Sequence, residues 1–316
     1  MAKLPALSVV VVISSDTLSP RADVSHLQDC LEALSQQQDP PAIEIIVPHH
    51  PDVDGIEELA KRYPAVAFLP VPSASIANRD GGGREHHDVL RSHGLDVATG
   101  EIIALLEDYA RPDPDWSASI VAAHRNSRAA AIGGAIENGI DRALNWAVYF
   151  CDFGKYQNPL PAGPTPYASD INTSYKRAAL EAIRPLWSAS YREPVVNGAL
   201  IRRGDGLVLD PKIVVRHHRP DLRLSFALKE RFIWGRSFAH ARRMMIGDGK
   251  RYLYAALSLG LPILLLARIA RTTLSRGRHF PAFIRALPHL VPLLFFWSGG
   301  EMVGYLSPHR LRASQT

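Results

Sequence analysis

The chain has 316 residues, with 36 lysines and arginines against 31 aspartates and glutamates and a formal net charge of +5. That length supplies core enough for one large or two small domains. Its two cysteines, Cys30 and Cys151, are far apart and lack metal-ligand spacing, which argues against a disulfide scaffold and for a reducing compartment. Met1 to Val12 lacks the basic start and separate apolar stretch of a secretory leader, so the first two-thirds reads as cytosolic. Basic residues crowd the region after Arg216, a bias suited to an anionic membrane surface or to nucleic acid. They flank apolar segments rather than interleave with aromatics, which sets nucleic acid aside.

Leu7 to Ile13 is a continuous β-branched run, the pattern of a strand buried on both faces of a parallel sheet. Val24 to Gln36 follows with apolar residues at helical spacing. Ile43 to Val47 is a second buried strand, Ile56 to Arg62 a short helix and Val66 to Val71 a third strand. A loop of small and polar residues, Ser73 to Arg84, leads to a helix over Val89 to Thr99 and a fourth strand, Ile102 to Leu106. Strands alternating with helices at this pitch predict a doubly wound α/β sheet. Beyond it, Trp116 to Arg125 reads as helix and Ala130 to Ile136 as strand. Asn158 to Pro166 reads as a loop, and Ala178 to Ile183 and Val195 to Arg203 as short helices. Leu207 to Val215 reads as a strand pair turning at Asp210-Pro211.

The C-terminal third differs in kind. Leu222 to Met245 predicts a long amphipathic helix rich in arginine and aromatics. Tyr252 to Ala267 is apolar but short of the roughly 20 residues a spanning helix needs, and it contains Pro262. Leu287 to Leu306 is long enough but carries His289, two prolines and Glu301. With basic residues on every flank, a single span would place arginines outside, against the positive-inside rule. A re-entrant or interfacial hairpin with all flanks cytoplasmic satisfies that rule. A helical core domain is the other reading of the same composition. The chain thus divides into residues 1–220, an amphipathic segment 221–250 and a membrane-associated segment 251–316.

The chemistry concentrates where Ile102 to Leu106 ends in Glu107-Asp108. Strand carboxyl ends are where α/β proteins meet ligands, and paired acids there suit a hard divalent ion carrying a phosphorylated substrate. A turn cap at Asp108 is the plain alternative. Other candidates are His49 and His50 at the end of the second strand, Asp170 and Asn172 in the segment Tyr167 to Leu180, Glu193 before Pro194, and His217. An imidazole such as His217 is able to ligate a metal. Glu193 has a capping explanation as well. No G-x-G-x-x-G follows the first strand, which disfavours a dehydrogenase.

Arg91 to Trp116 resembles family 2 glycosyltransferases: an arginine-led helix ending in Gly100-Glu101, then a strand carrying the acidic DxD-type motif. Tyr167 to Leu180 resembles the acceptor-side segment of that family, and Asp210 to His217 its closing strand. Tyr109 stands where the family usually has a second aspartate, Ser92 where it has asparagine, His49 and His50 where it has two aspartates, and Pro194 where it has the base. The resemblance implies a GT-A, Rossmann-like fold followed by C-terminal amphipathic and hydrophobic helices. It also implies an inverting, metal-dependent transfer from a nucleotide-sugar donor to a lipid-linked or polysaccharide-type glycan acceptor. In that scheme Asp108 and His217 hold Mg²⁺ or Mn²⁺, and Glu193 is the remaining carboxylate to act as base. His49, His50, Arg91, Glu107, Asp170 and Asn172 bind nucleotide and substrate, with Arg91 approaching the nucleotide. Membrane lipids are the expected partner, at the cell membrane with the catalytic part on the cytoplasmic face, in envelope polysaccharide synthesis. The departures motivate one alternative, a catalytically degenerate nucleotide-sugar-binding or scaffolding protein.

Overall fold

The computed structural model describes residues 4–15, 24–72, 85–243 and 249–307. The loop expected at Ser73 to Arg84 and the basic Arg310 and Arg312 lie outside them. Two units emerge from the packing: residues 1–140 with 156–220, and residues 141–155 with 221–316.

The first unit is built on β1 (Leu7–Val12), β2 (Ile43–His49), β3 (Val66–Pro70) and β4 (Ile102–Glu107), all parallel, in the order β3-β2-β1-β4. Every residue of β1 and of β4 is buried, as an uninterrupted apolar run demands when both faces of a strand are covered. Helices α1 (Ser25–Ser35), α2 (Ile56–Arg62) and α3 (Glu85–Val97) make the connections. Gly94 lets α3 lie close on β1, since a Cβ there would collide with the Val10 side chain. The chain steps outward from β1 to β2 and β3, then returns to place β4 on the other side of β1. The order reverses between β1 and β4, and the carboxyl ends of these two strands flank the crevice where such sheets bind ligands.

The rest of the sheet is mixed. Its elements are β5 (Ala110–Pro112), α4 (Trp116–Asn126), β6 (Ala131–Asn138), β7 (Gly163–Pro164) and β8 (Thr173–Lys176), then α6 (Arg177–Glu181), α7 (Glu193–Arg202) and β9 (Leu207–His217); α5 (Ala143–Asp152) lies in the second unit. Strand β8 inserts antiparallel between β4 and β6, and β9 pairs parallel with β6 and antiparallel with β5. The expected turn at Asp210-Pro211 is a register shift within one continuous β9 rather than a hairpin. Gly134 stands opposite that irregularity, and any Cβ there would meet the Asn172 amide and the Ile213 carbonyl. Val10, Val12, Ile46, Leu90, Leu105, Tyr175, Trp187, Val196 and Leu200 form one continuous core. Cys30 and Cys151 are both free.

The second unit contains α5, α8 (Leu224–Arg243), α9 (Lys250–Leu257), α10 (Leu261–Arg276) and α11 (Phe280–Leu306). The apolar segment judged too short extends as one helical stretch, Lys250–Arg276, of 27 residues, and α11 also has 27. Pro262 does not interrupt the first because it occupies the opening turn of α10, where a missing N–H costs nothing. By length and composition, both stretches are able to cross a bilayer. Helix α8 is clamped to α11: a Cβ on Gly235 would strike the Trp297 carbonyl, and one on Gly300 the Phe232 carbonyl. Arg231 of α8 pairs with Asp152 at the end of α5.

Candidate active site

Directly past β4, Asp108 is tied to the end of β1. Its backbone N–H donates to the Val12 carbonyl at 3.0 Å. Ser14 donates to Oδ1 through both its N–H and its hydroxyl at 2.9 Å. Ser15 donates to Oδ2 through its hydroxyl at 2.5 Å and its N–H at 3.4 Å. Asp108 is wholly buried. Burial pushes its carboxyl above the ordinary aspartate value, and the serine hydrogen bonds pull against that shift. It therefore fastens the two strand ends at the switch point to each other.

Glu107 faces a different way. Arg91, fully buried on α3, places Nη2 2.6 Å from Glu107 Oε1 and 3.0 Å from Asp170 Oδ2, with Asp88 3.6 Å from Nη1. The arginine expected to approach a nucleotide is thus enclosed by carboxylates. Three of the expected site residues, Arg91, Glu107 and Asp170, form a single network.

Asn172 serves the sheet. Its Oδ1 accepts from the Trp116 indole at 2.9 Å, and its amide donates to the carbonyls of Ala135 and Ile213 at 2.8 and 3.0 Å. With both ends of the amide engaged and the side chain buried, it has no group to offer a sugar hydroxyl.

Glu193 opens α7 with Pro194 in the first turn, and its Oε1 accepts from Asn197 Nδ2 at 3.2 Å. Asn197 Oδ1 accepts in turn from the Tyr175 hydroxyl at 2.8 Å, and that hydroxyl lies 2.7 Å from the hydroxyl of Tyr191. Burial above all, then the fields of Glu193 and Asp170, raises the phenols of Tyr156 and Tyr175 above their ordinary range. Burial raises Tyr191 likewise. All three stay protonated donors beside a half-buried carboxylate. This tyrosine wall carried no sequence signal, since its members lie on three separate segments.

At the end of β2, His49 Nδ1 donates to the His50 carbonyl at 2.9 Å, while His50 Nδ1 accepts the Asp52 N–H at 3.2 Å. Both rings are buried rather than solvated, and burial lowers the pKa of His49, which stays neutral. His86 and His87 are buried with ring centroids 3.8 Å apart. The His218 N–H donates to the Tyr109 carbonyl at 2.8 Å.

Residues 23–184, just over half of the chain, match the family described as Glycosyl transferase family 2. The chain belongs to that family. It is a glycosyltransferase with a GT-A, Rossmann-like fold and two apolar C-terminal helices. Among solved structures, it is similar to a mannosyltransferase from Pyrobaculum calidifontis, PcManGT, in complex with GDP-Man and Mn²⁺. That pair shares 16% identity at a TM-score of 0.54, over 95% of this chain and 88% of the other. Staphylococcus aureus TarS 1-349 aligns at 12% identity and a TM-score of 0.47, over 95% of this chain and 88% of that one. The same protein in complex with UDP aligns at 11% and 0.46, over 91% and 90%. No curated protein sequence matches the chain.

The glycosyltransferase's strand end does not offer the donor set of a divalent ion. Both Asp108 oxygens are taken by serines, and Tyr109 presents a phenol ring. His217, the expected companion ligand, has its ring centroid 5.7 Å from that of Tyr109. Among the described residues no three His, Cys, Asp or Glu side chains come together as metal ligands. The substitution of tyrosine for aspartate, visible in the sequence, is the physical origin of the mismatch.

Proposed function

We propose that this glycosyltransferase moves a sugar from a nucleotide-sugar donor to a lipid-linked or polysaccharide-type acceptor with inversion at the anomeric carbon. The observation that supports it best is the clustering of candidate groups on the carboxyl side of the parallel strands. His49 ends β2 with His50 directly after it, Ser14, Ser15 and Asp108 lie at the switch point, and Glu107 is joined through Arg91 to Asp170. In the reaction, the acceptor oxygen attacks the anomeric carbon as the bond to the diphosphate oxygen breaks. Glu193 takes the proton released by the acceptor hydroxyl. The tyrosine wall and Asn197 hold that carboxylate in place, and the leaving diphosphate takes the displaced electron pair. Base recognition falls to His49 and His50, whose buried rings offer a flat surface and, at His49 Nε2, an acceptor.

The membrane is the proposed site of action. Two apolar helical stretches of 27 residues, joined at Gly277, with Arg242 and Arg243 before them, Lys250, Arg251, Arg268, Arg271 and Arg276 towards the two ends of the first, and Arg278 between them, suit a hairpin seated from the cytoplasmic face. Its arginines then stay with anionic headgroups.

The test is turnover of a panel of nucleotide sugars with lipid-linked glycan acceptors, the anomeric configuration of the product being read by NMR. Transfer with inversion is expected. Neither transfer nor hydrolysis of any donor, with intact nucleotide binding, would leave the binding or scaffolding reading in its place. Retention in the membrane pellet after alkaline extraction tests the location.

A further inference from the structure

Building on the nucleotide-sugar reading, we propose that the donor diphosphate is neutralised by a protein cation held over Tyr109. The Arg219 guanidinium supplies the charge, the His217 and His218 imidazoles add hydrogen bonds, and the donor then binds without a divalent ion.

The chain brings this group together by strand pairing. β5 lies antiparallel to the end of β9, with Ala110 opposite His217 and Arg111 opposite Arg216. The His218 N–H to Tyr109 carbonyl bond extends that pairing beyond both strands. The run Arg216-His217-His218-Arg219 is thereby fastened against the residue that follows Asp108 at the switch point. The Tyr109 ring is packed by His26 at 4.8 Å and His217 at 5.7 Å between centroids, and the Arg219 guanidinium lies over it at 5.3 Å. A buried aromatic ring under a guanidinium holds the cation in place through the ring's negative face.

The acids nearby are already engaged. Asp108 accepts from two serines. Asp29 binds Arg111 at 2.5 Å, and Asp113 binds Arg216 at 2.9 Å. Beside these pairs, Arg219 and the imidazoles of His26 and His217 pack on the phenol ring. His218 also carries a buried Nδ1 without a hydrogen-bond partner, a group whose burial is costly until an acceptor or donor meets it. Magnesium and manganese are normally fixed by one or two carboxylates together with phosphate oxygens. Here the corner has a phenol, imidazoles and a guanidinium, and a guanidinium matches phosphate geometry in its own right.

Calorimetric titration of the full-length protein with UDP, GDP, ADP and dTDP, in EDTA and again in Mn²⁺, tests this directly. At least one nucleotide is expected to bind in EDTA with an affinity within about twofold of that in Mn²⁺. Arg219→Ala should weaken that diphosphate about tenfold, the value of one charge-assisted hydrogen bond, and leave the matching nucleoside within about twofold. Tyr109→Asp provides a second route: the added carboxylate should weaken the diphosphate in EDTA and make Mn²⁺ restore it. Binding of the unaltered protein that disappears in EDTA and returns with Mn²⁺ overturns the proposal while leaving the donor reading intact. Failure of every nucleotide under both conditions overturns both.

Discussion

Arg91 Nη2 lies 2.6 Å from Glu107 Oε1, with both side chains buried. The pair joins the middle of α3 to the last residue of β4, and through Asp170 it reaches the loop that leads into β8. One guanidinium therefore fixes the distance between the end of the parallel sheet and the segment expected to meet the acceptor. Its role is positional, which explains why a cation so close to the crevice is withheld from it.

Removing that cation should be severe. Arg91→Met leaves Glu107, Asp170 and Asp88 facing one another in a buried site, and losing one partner of such a pair costs about 3–5 kcal/mol. Arg91→Lys keeps the charge but not the fork and should cost less. Urea denaturation in detergent measures both. A loss below about 1 kcal/mol for the methionine variant would refute the view of Arg91 as the staple.

The parallel half of the sheet was legible because its strands are unbroken apolar runs and its helices repeat at regular pitch. β8 was not, since Thr173-Ser174-Tyr175-Lys176 alternates weakly and its neighbours β4 and β6 are remote in sequence. α5 was missed as well: Ala143–Asp152 is apolar on most faces and belongs with the C-terminal helices. At the site, residue types pointed to the correct strand end. Partner choice was hidden, because whether Asp108 meets a metal or two serines depends on how β1 terminates beside β4.

His124 gives the fold an acid-sensitive point. Its Nε2 lies 2.9 Å from the Ser174 hydroxyl, on the buried side of α4. Burial, reinforced by the charge of Lys176, lowers its pKa from 6.5 to about 4. The folded state thus binds the proton less readily than the unfolded chain. The stabilisation is complete above pH 6.5 and is lost as pH falls towards 4, amounting to about 3 kcal/mol across that window. His124→Gln should flatten this part of the stability profile, as monitored by denaturant midpoints at successive pH values. An unchanged slope would rule out His124 as its source.

The glycine seam between α8 and α11 should tolerate no side chain. At Gly300 a Cβ would overlap the Phe232 carbonyl, and at Gly304 it would approach the Arg236 carbonyl at 2.6 Å. Two rigid helix backbones, rather than a flexible side chain, would have to move. Gly300→Val should therefore cost about 1–3 kcal/mol or more, whereas Gly260→Ala, with open space around it, should be nearly neutral. Thermal unfolding of the two variants in the same detergent distinguishes a close-packed helix pair from a loosely associated one.

Glu193 is the remaining point at which the chemistry can be isolated. It receives a hydrogen bond from Asn197, which is itself anchored by Tyr175, so its carboxylate is held in place. Asp170, the neighbouring acid, is 3.0 Å from Arg91, and such a pairing weakens it as a proton acceptor. Glu193→Gln should consequently reduce kcat about 10²–10⁴-fold, the usual contribution of a positioned base, with the KM for the donor little changed. Asp170→Asn should act mainly on acceptor KM and on stability. The opposite pattern, with kcat collapsing in Asp170→Asn and surviving in Glu193→Gln, would transfer the base role to Asp170. Asn197→Asp offers a further readout: a second negative charge beside Glu193 favours its protonated form, so the acidic limb of the kcat profile should move to higher pH.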